Sequence, residues 1–397
     1  DSDSWFYNWA ILFKIFALQY GACKRAPIIF AFHIFKISFF MEAFWKTIFY
    51  SSEKIIKFKK SYLLFFIVTL FCSTIFTYYY FLFTHEYPPG NAQNIASGMA
   101  DKVFQTRILV PFLGDFLKPC IPILSFLFGW LIPYPITFDV ILQIINILSL
   151  TLLILSTPVL LKMLECRVSK WSAFLLFIPL SWNYIAINGL IDGAGLFYCY
   201  DIPSLAFYSI GLIFFLKNSW FWFYLIFIFA NLNRESACFI SLSGFLLQLK
   251  LYKNPNLFLR LNQNLIIHIV TQALLWIFIR SSLSWIYRGN PGLFFEEPHS
   301  MGIFLAGIWN GNSHWAMQNV AWFLTLFAGV WLIPVIGFNK LSSYGKKLIL
   351  VGVIYIICLY FRSNMMETRV YNELNVIISA CAIICLTNCI KTKRGFA

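Results

Sequence analysis

The chain has 397 residues, of which 60% are hydrophobic, 20% aromatic and only 12% charged. Soluble domains carry about 25% charged residues, so this composition excludes a water-facing globular enzyme. The net charge of +14 does not point to nucleic acid, because the cations flank apolar stretches instead of gathering on one polar domain.

Residues 1–40 mix Trp, Phe, Lys and Cys without a clear period. At Met41 a more regular pattern begins: a short polar stretch, the basic run Lys54, Lys57, Lys59 and Lys60, then an apolar span. Residues 1–40 are read either as an extension upstream of a natural start at Met41 or as a genuine amphipathic or membrane-embedded segment. Residues 41–61 are expected to be a cytoplasmic basic segment, 62–390 the transmembrane domain and 391–397 a cytoplasmic tail. No small-residue cleavage site follows the first span, which is therefore expected to be retained.

Apolar runs of about 18–25 residues, each long enough to cross a bilayer, recur from Ser61 to Ile390. Ten crossings are predicted, near 62–84, 138–165, 171–188, 203–217, 219–232, 235–250, 264–285, 320–338, 347–361 and 369–388. Pro111, Pro119, Pro122 and Pro133 break residues 104–134, which are read as helices lying along the outer interface. The predicted fold class is an all-α polytopic membrane protein.

With both ends placed inside, Lys and Arg from Met41 onward divide eighteen to eight in favour of the inner side, as the positive-inside rule requires. Six of the eight outer cations are Arg, namely Arg107, Arg234, Arg280, Arg288, Arg362 and Arg369. Topology needs only charge, whereas Arg grips phosphate or carboxylate with a planar fork. Any chemistry is therefore expected on the extracytoplasmic face of the membrane.

The first outer loop carries two candidate catalytic acids. Glu86 follows the first crossing directly, where a carboxylate can take a proton from a hydroxyl arriving from water, and Asp101 is the second candidate. Arg107, flanked by apolar residues, is a candidate phosphate ligand. Further along, Asp201 in Tyr200-Asp201-Ile-Pro-Ser204 opens a predicted helix, where an N-terminal cap is the plain reading. Arg234 and Glu235, adjacent between two apolar stretches, cannot lie unpaired in lipid. They form either an internal salt bridge or an anion site beside a helix N-terminus. Glu367, Arg369 and Glu373 open the last crossing, with Arg369 and Glu373 spaced to share a helix face.

No cofactor is expected. Glu296, Glu297 and His299 offer side chains to a divalent ion, but their spacing is not a recognised metal pattern. Cys381, Cys385 and Cys389, on one helix face at lipid depth without His or carboxylate partners, are read as packing residues. Cys120 and Cys199 are placed where they could meet outside the membrane.

Taken together, Arg-x-Leu-x-Pro in the first outer loop, Tyr-Asp-x-Pro-Ser, Asn-Arg-Glu-Ser and Glu-x-Arg-x-x-x-Glu resemble bacterial multi-pass relatives of the GT-C glycosyltransferases, over about residues 61–390. The resemblance implies an integral enzyme of the bacterial inner membrane. Such an enzyme moves a sugar from a polyprenyl-phosphate carrier to a glycan, lipid or protein acceptor outside the cytoplasm. It implies that Glu86 or Asp101 supplies the catalytic carboxylate, that Arg107, Arg234 and Arg369 hold the donor phosphate, and that Asp201, Glu235, Glu367 and Glu373 support them. The paired acids that many GT-C enzymes show in this loop are absent here, where Glu86 stands beside His85. Two other readings stay open: a polysaccharide polymerase or ligase using diphosphate-linked glycans, and a non-catalytic membrane transporter or subunit. A transporter is expected to carry charges near mid-membrane, often with repeat symmetry. Here the charges gather at outer helix ends and no repeat is visible.

Overall fold

Among the described residues the chain forms eight main helices, whose lengths divide them into two groups. The computed structural model describes residues 60–128, 137–191, 196–249, 255–292, 324–362 and 368–394. All of them belong to one unit, Ile56–Ala397. The expected segments 1–40 and 41–61 lie outside the described residues, apart from Lys60 and Ser61.

The main helices are α1 (Lys60–Phe83), α2 (Phe138–Met163), α3 (Asp201–Leu216), α4 (Trp220–Asn233), α5 (Cys238–Gln248), α6 (Pro255–Ile286), α7 (Ser343–Arg362) and α8 (Leu374–Arg394). Among the described residues four helical stretches are long and apolar enough to cross a membrane: Ser61–Phe83, Phe138–Met163, Gln263–Ile286 and Ser343–Phe361. Only 17% of the most apolar part of α6 is buried, so Ile267, Val270, Leu274, Ile277 and Phe278 point outward. A stripe of that length and character needs lipid around it. The chain is a helical membrane protein.

The shorter apolar helices differ from the expected crossings for local reasons. Residues 171–188 do not form one helix. They are divided among a 3-10 stretch at Lys170–Leu176, an α-turn at Phe177–Leu180 and a π-helical stretch at Ser181–Ile191. Pro179 lacks the N–H that a continuous helix would use there. The expected crossing at 320–338 is interrupted where Phe327, Ala328 and Gly329 all take positive φ. The buried Asn183 carboxamide holds that kink by accepting the Phe327 N–H at 2.9 Å. The segment after α1 forms short helices, at Lys102–Gln105, Leu109–Leu117 and Ile121–Phe128.

Helix α3 is the core. Nearly all its residues from Asp201 to Phe215 are buried, and it packs on α2, α4, α5 and α8. It stops at Asn218, which takes φ 55° while the Ser219 N–H returns to the Phe214 carbonyl at 3.0 Å. Small residues set the approach of α5: a Cβ on Gly244 would lie 2.4 Å from the Phe215 ring. Gly244→Val is therefore expected to lower stability by about 1–3 kcal/mol through overpacking. Gly289→Ala, where a Cβ meets nothing within 4 Å, should leave the unfolding midpoint in mixed micelles unchanged.

The cysteines pack. The Cys385 thiol lies 3.5 Å from the Gly337 carbonyl, in a space that a Cβ on Gly337 would fill. Cys120 and Cys199 are both free thiols, the latter buried.

The two ends of the bundle differ in chemistry. At one end Lys170 Nζ donates to the Ser61 carbonyl at the start of α1, and Lys347 Nζ donates to the Leu247 and Leu249 carbonyls that end α5. Lys217 follows α3, its ammonium pushed down by burial and by the neighbouring charge of Lys162. The opposite end, where α3 and α8 begin and α4 and α6 finish, holds Arg and carboxylates.

A buried arginine–carboxylate cluster as candidate functional site

Arg107 is fixed by the loop that carries it. Gln105, fully buried, accepts the Ala100 N–H at 3.0 Å and donates to the Ile95 carbonyl at 2.8 Å. The next residues are thereby turned toward the helix ends. Arg107 there grips Glu235 with two bonds, Nε to Oε2 at 3.1 Å and Nη2 to Oε1 at 2.7 Å. Its Nη1 donates to the Tyr200 hydroxyl at 2.9 Å, and the guanidinium also lies over the Tyr200 ring.

Arg234 and Glu235 do not pair with each other, contrary to the simpler of the two sequence expectations. Arg234 has extended backbone (φ −151°, ψ 149°) between α4 and the 3-10 turn Glu235–Ala237, and extended backbone sends successive side chains to opposite sides. Arg234 Nη1 donates to Asp201 Oδ1 at 3.1 Å and to the Arg369 carbonyl at 3.4 Å. Tyr200, not Asp201, stands at the N-cap of α3 and makes no side-chain cap bond; the carboxylate of Asp201, the first residue of the helix, serves Arg234.

Arg369 and Glu373 likewise share no helix. Arg369 lies in the 3-10 turn Thr368–Tyr371, and α8 begins only at Leu374. The Arg369 guanidinium stacks 3.7 Å over the Tyr198 ring. Glu373 turns elsewhere, accepting the Ser236 hydroxyl and the Tyr355 hydroxyl of α7 at 2.5 Å. Glu367 lies outside the described residues, as do Glu296, Glu297 and His299. No group of three His, Cys, Asp or Glu able to hold a metal occurs among the described residues.

Of the sequence candidates, Arg107, Asp201, Arg234, Glu235, Arg369 and Glu373 therefore come together at one end of the bundle. Arg280, one of the six outer Arg of the sequence, joins them from α6: it donates to the Thr106 and Asn231 carbonyls at 3.2 and 2.7 Å and lies 4.0 Å from Glu235. Tyr200, Ser236 and Tyr355 complete the cluster. A Tyr or Ser within an apolar run carries no distinguishing signal in sequence, whereas Arg280 was marked by being Arg at an outer end. Four guanidinium groups face three carboxylates, so the cluster holds one positive charge in excess. The Arg234 Nε, Arg280 Nε and Asp201 Oδ2 atoms are buried without a hydrogen-bond partner. Beside Arg234 and Glu373 lies a pocket of about 10 Å³, room for about one water and too small for phosphate.

Exposure separates the members. Asp201 and Glu373 are 1% and 2% exposed, but the Glu235 side chain is 38% exposed. Burial alone would raise the Glu235 carboxyl, but the guanidinium groups of Arg107, Arg280 and Arg234 outweigh it and hold the group well below the usual carboxylate range.

The two candidate acids lie in the segment between α1 and Arg107. Glu86 belongs to a two-residue strand that pairs in parallel with Leu196–Phe197, Glu86 opposite Phe197, just before Tyr200 and Asp201. Burial pushes its carboxyl up, the Ala92 N–H draws it down, and Asp139 adds a further rise. Asp101 opens the turn Lys102–Gln105 without a side-chain cap bond, and its N–H donates to the Pro89 carbonyl at 3.0 Å. Comparison with family models, curated proteins and solved structures finds no match to this chain.

Proposed function

We propose that the protein is a membrane-embedded glycosyltransferase of GT-C type, with its active face at the Arg-rich end of the bundle outside the cytoplasm. The donor is a polyprenyl-phosphate sugar and the acceptor a hydroxyl-bearing glycan, lipid or protein. The observation that supports this is the convergence of charged residues from five separate segments, Arg107 to Glu373, at one end of a lipid-facing bundle with positive charge in excess. Burying four Arg and two acids is costly unless they serve a ligand or one another. The expected ten crossings and the GT-C architecture form part of this reading. The shorter apolar helices would complete crossings together with the turns that flank them.

In the reaction the acceptor oxygen attacks the anomeric carbon and the bond from that carbon to the phosphate oxygen breaks. The acceptor proton passes to Glu86, with Asp101 as the alternative base. The carrier leaves as the lipid phosphate, on which negative charge grows. Fixed guanidinium groups stabilise that charge most where it develops. Arg107 pairs with the partly exposed Glu235, while Arg234 and Arg369 add their field. A base works best with its pKa near the working pH, and the burial that raises Glu86 moves it in that direction.

The test is incubation of the purified protein with a panel of polyprenyl-phosphate sugars and measurement of lipid phosphate released. One donor should be turned over by the wild type, and Glu86→Gln should reduce turnover by about 100-fold or more with the melting temperature preserved. Release from no donor, or full activity in both Glu86→Gln and Asp101→Asn, would remove the proposal.

A further inference from the structure

Glu235 is the one carboxylate of the cluster that can leave it. Asp201 and Glu373 are almost fully enclosed, while more than a third of the Glu235 side chain is open. Its backbone does not depend on the side chain: the Glu235 carbonyl accepts the Trp276 indole N–H at 3.0 Å. What Glu235 occupies is a two-pronged anion site. Arg107 presents Nε and Nη2 in parallel, with Arg280 Nη2 4.0 Å behind. Parallel guanidinium donors of this kind bind a phosphate as readily as a carboxylate. With Glu235 swung out, the seat gains a further unit of positive charge.

We infer that Arg107 and Arg280 form a seat for a phosphate group that Glu235 fills when no ligand is bound, so that Glu235 acts as a tethered competitor. The inference deepens the proposed function, since it gives the carrier phosphate a place, and rests on it only for the lipid. The phosphate enters as Glu235 rotates into water, and no covalent bond is made or broken. Glu235 then closes the seat again after the lipid phosphate departs, which keeps two guanidinium groups from standing unpaired in a buried site.

A tethered competitor weakens apparent affinity by the fraction of time that the seat is free. The test is calorimetric titration of the full chain in lipid nanodiscs with inorganic phosphate and, separately, with polyprenyl phosphate. Glu235→Gln removes the competing charge and should tighten binding by about tenfold or more. Arg107→Gln introduced beside it should abolish the gain. If Glu235→Gln fails to fold, Glu235→Asp carries the test: it keeps the charge, shortens the reach and should tighten binding by a smaller factor. Unchanged phosphate affinity in the folded variant overturns the seat. Tighter inorganic phosphate with no binding of polyprenyl phosphate keeps the seat and overturns the lipid reading. Donor turnover with no effect of Glu235 on phosphate affinity does the reverse.

Discussion

Asp201→Asn is expected to destabilise the protein by about 3–5 kcal/mol, because it leaves a buried guanidinium without its counter-charge. Asp201 and Arg234 are 1% and 6% exposed at the side chain, with 3.1 Å between Oδ1 and Nη1. Bulk water reaches neither charge as the side chains stand. Arg234→Met should cost a similar amount by orphaning Asp201. The double variant Asp201→Asn/Arg234→Met removes both charges and keeps much of the volume, so it should recover most of the loss. Replacing a buried ion pair by groups of similar shape is often neutral. Double-mutant analysis of unfolding in mixed micelles measures the coupling. Additive single losses, or a loss below about 1 kcal/mol for Asp201→Asn, would show that the pair is hydrated in the membrane.

Much of this arrangement was legible in the sequence. Charge at the ends of apolar runs is costly, and that alone marked Arg107, Asp201, Arg234, Glu235, Arg369 and Glu373. The preference for Arg over Lys on the expected outer side separated a candidate site from a topology signal, and the fold gathers Arg107, Arg234, Arg280 and Arg369 at one end. The pairing was not legible. Adjacent Arg234 and Glu235 look like a salt bridge until the extended backbone at Arg234 sends them apart, and the spacing of Arg369 and Glu373 suggests a helical pair until the helix starts late. Backbone conformation at one residue decides each case, and local sequence does not specify it.

Crossings were read from hydropathy, which measures length of apolar sequence and not continuity of helix. It therefore found Ser61–Phe83 and Phe138–Met163 and missed the breaks at Pro179 and at Phe327–Gly329. Tyr355 escaped notice, and Tyr200 and Ser236, although inside quoted motifs, received no role, because a hydroxyl on an apolar helix has many uses and only the fold shows which donor faces which carboxylate.

The largest effect on activity is expected at Arg107. Lys at this position keeps the charge, and with it some attraction to Glu235, but a point charge cannot reproduce two parallel donors. A grip that matters most as charge builds on the leaving phosphate should show itself in turnover more than in donor affinity. Loss of one such donor typically costs about 100- to 1,000-fold in rate. The most direct measurement is therefore lipid-phosphate release by wild type and Arg107→Lys, both in nanodiscs with the donor that the wild type uses, alongside their melting temperatures. The predicted result is a fall in kcat of about 100-fold or more with the melting temperature little changed. Wild-type kcat in a folded Arg107→Lys would contradict a phosphate site at this cluster and leave the network as a structural clamp on the bundle.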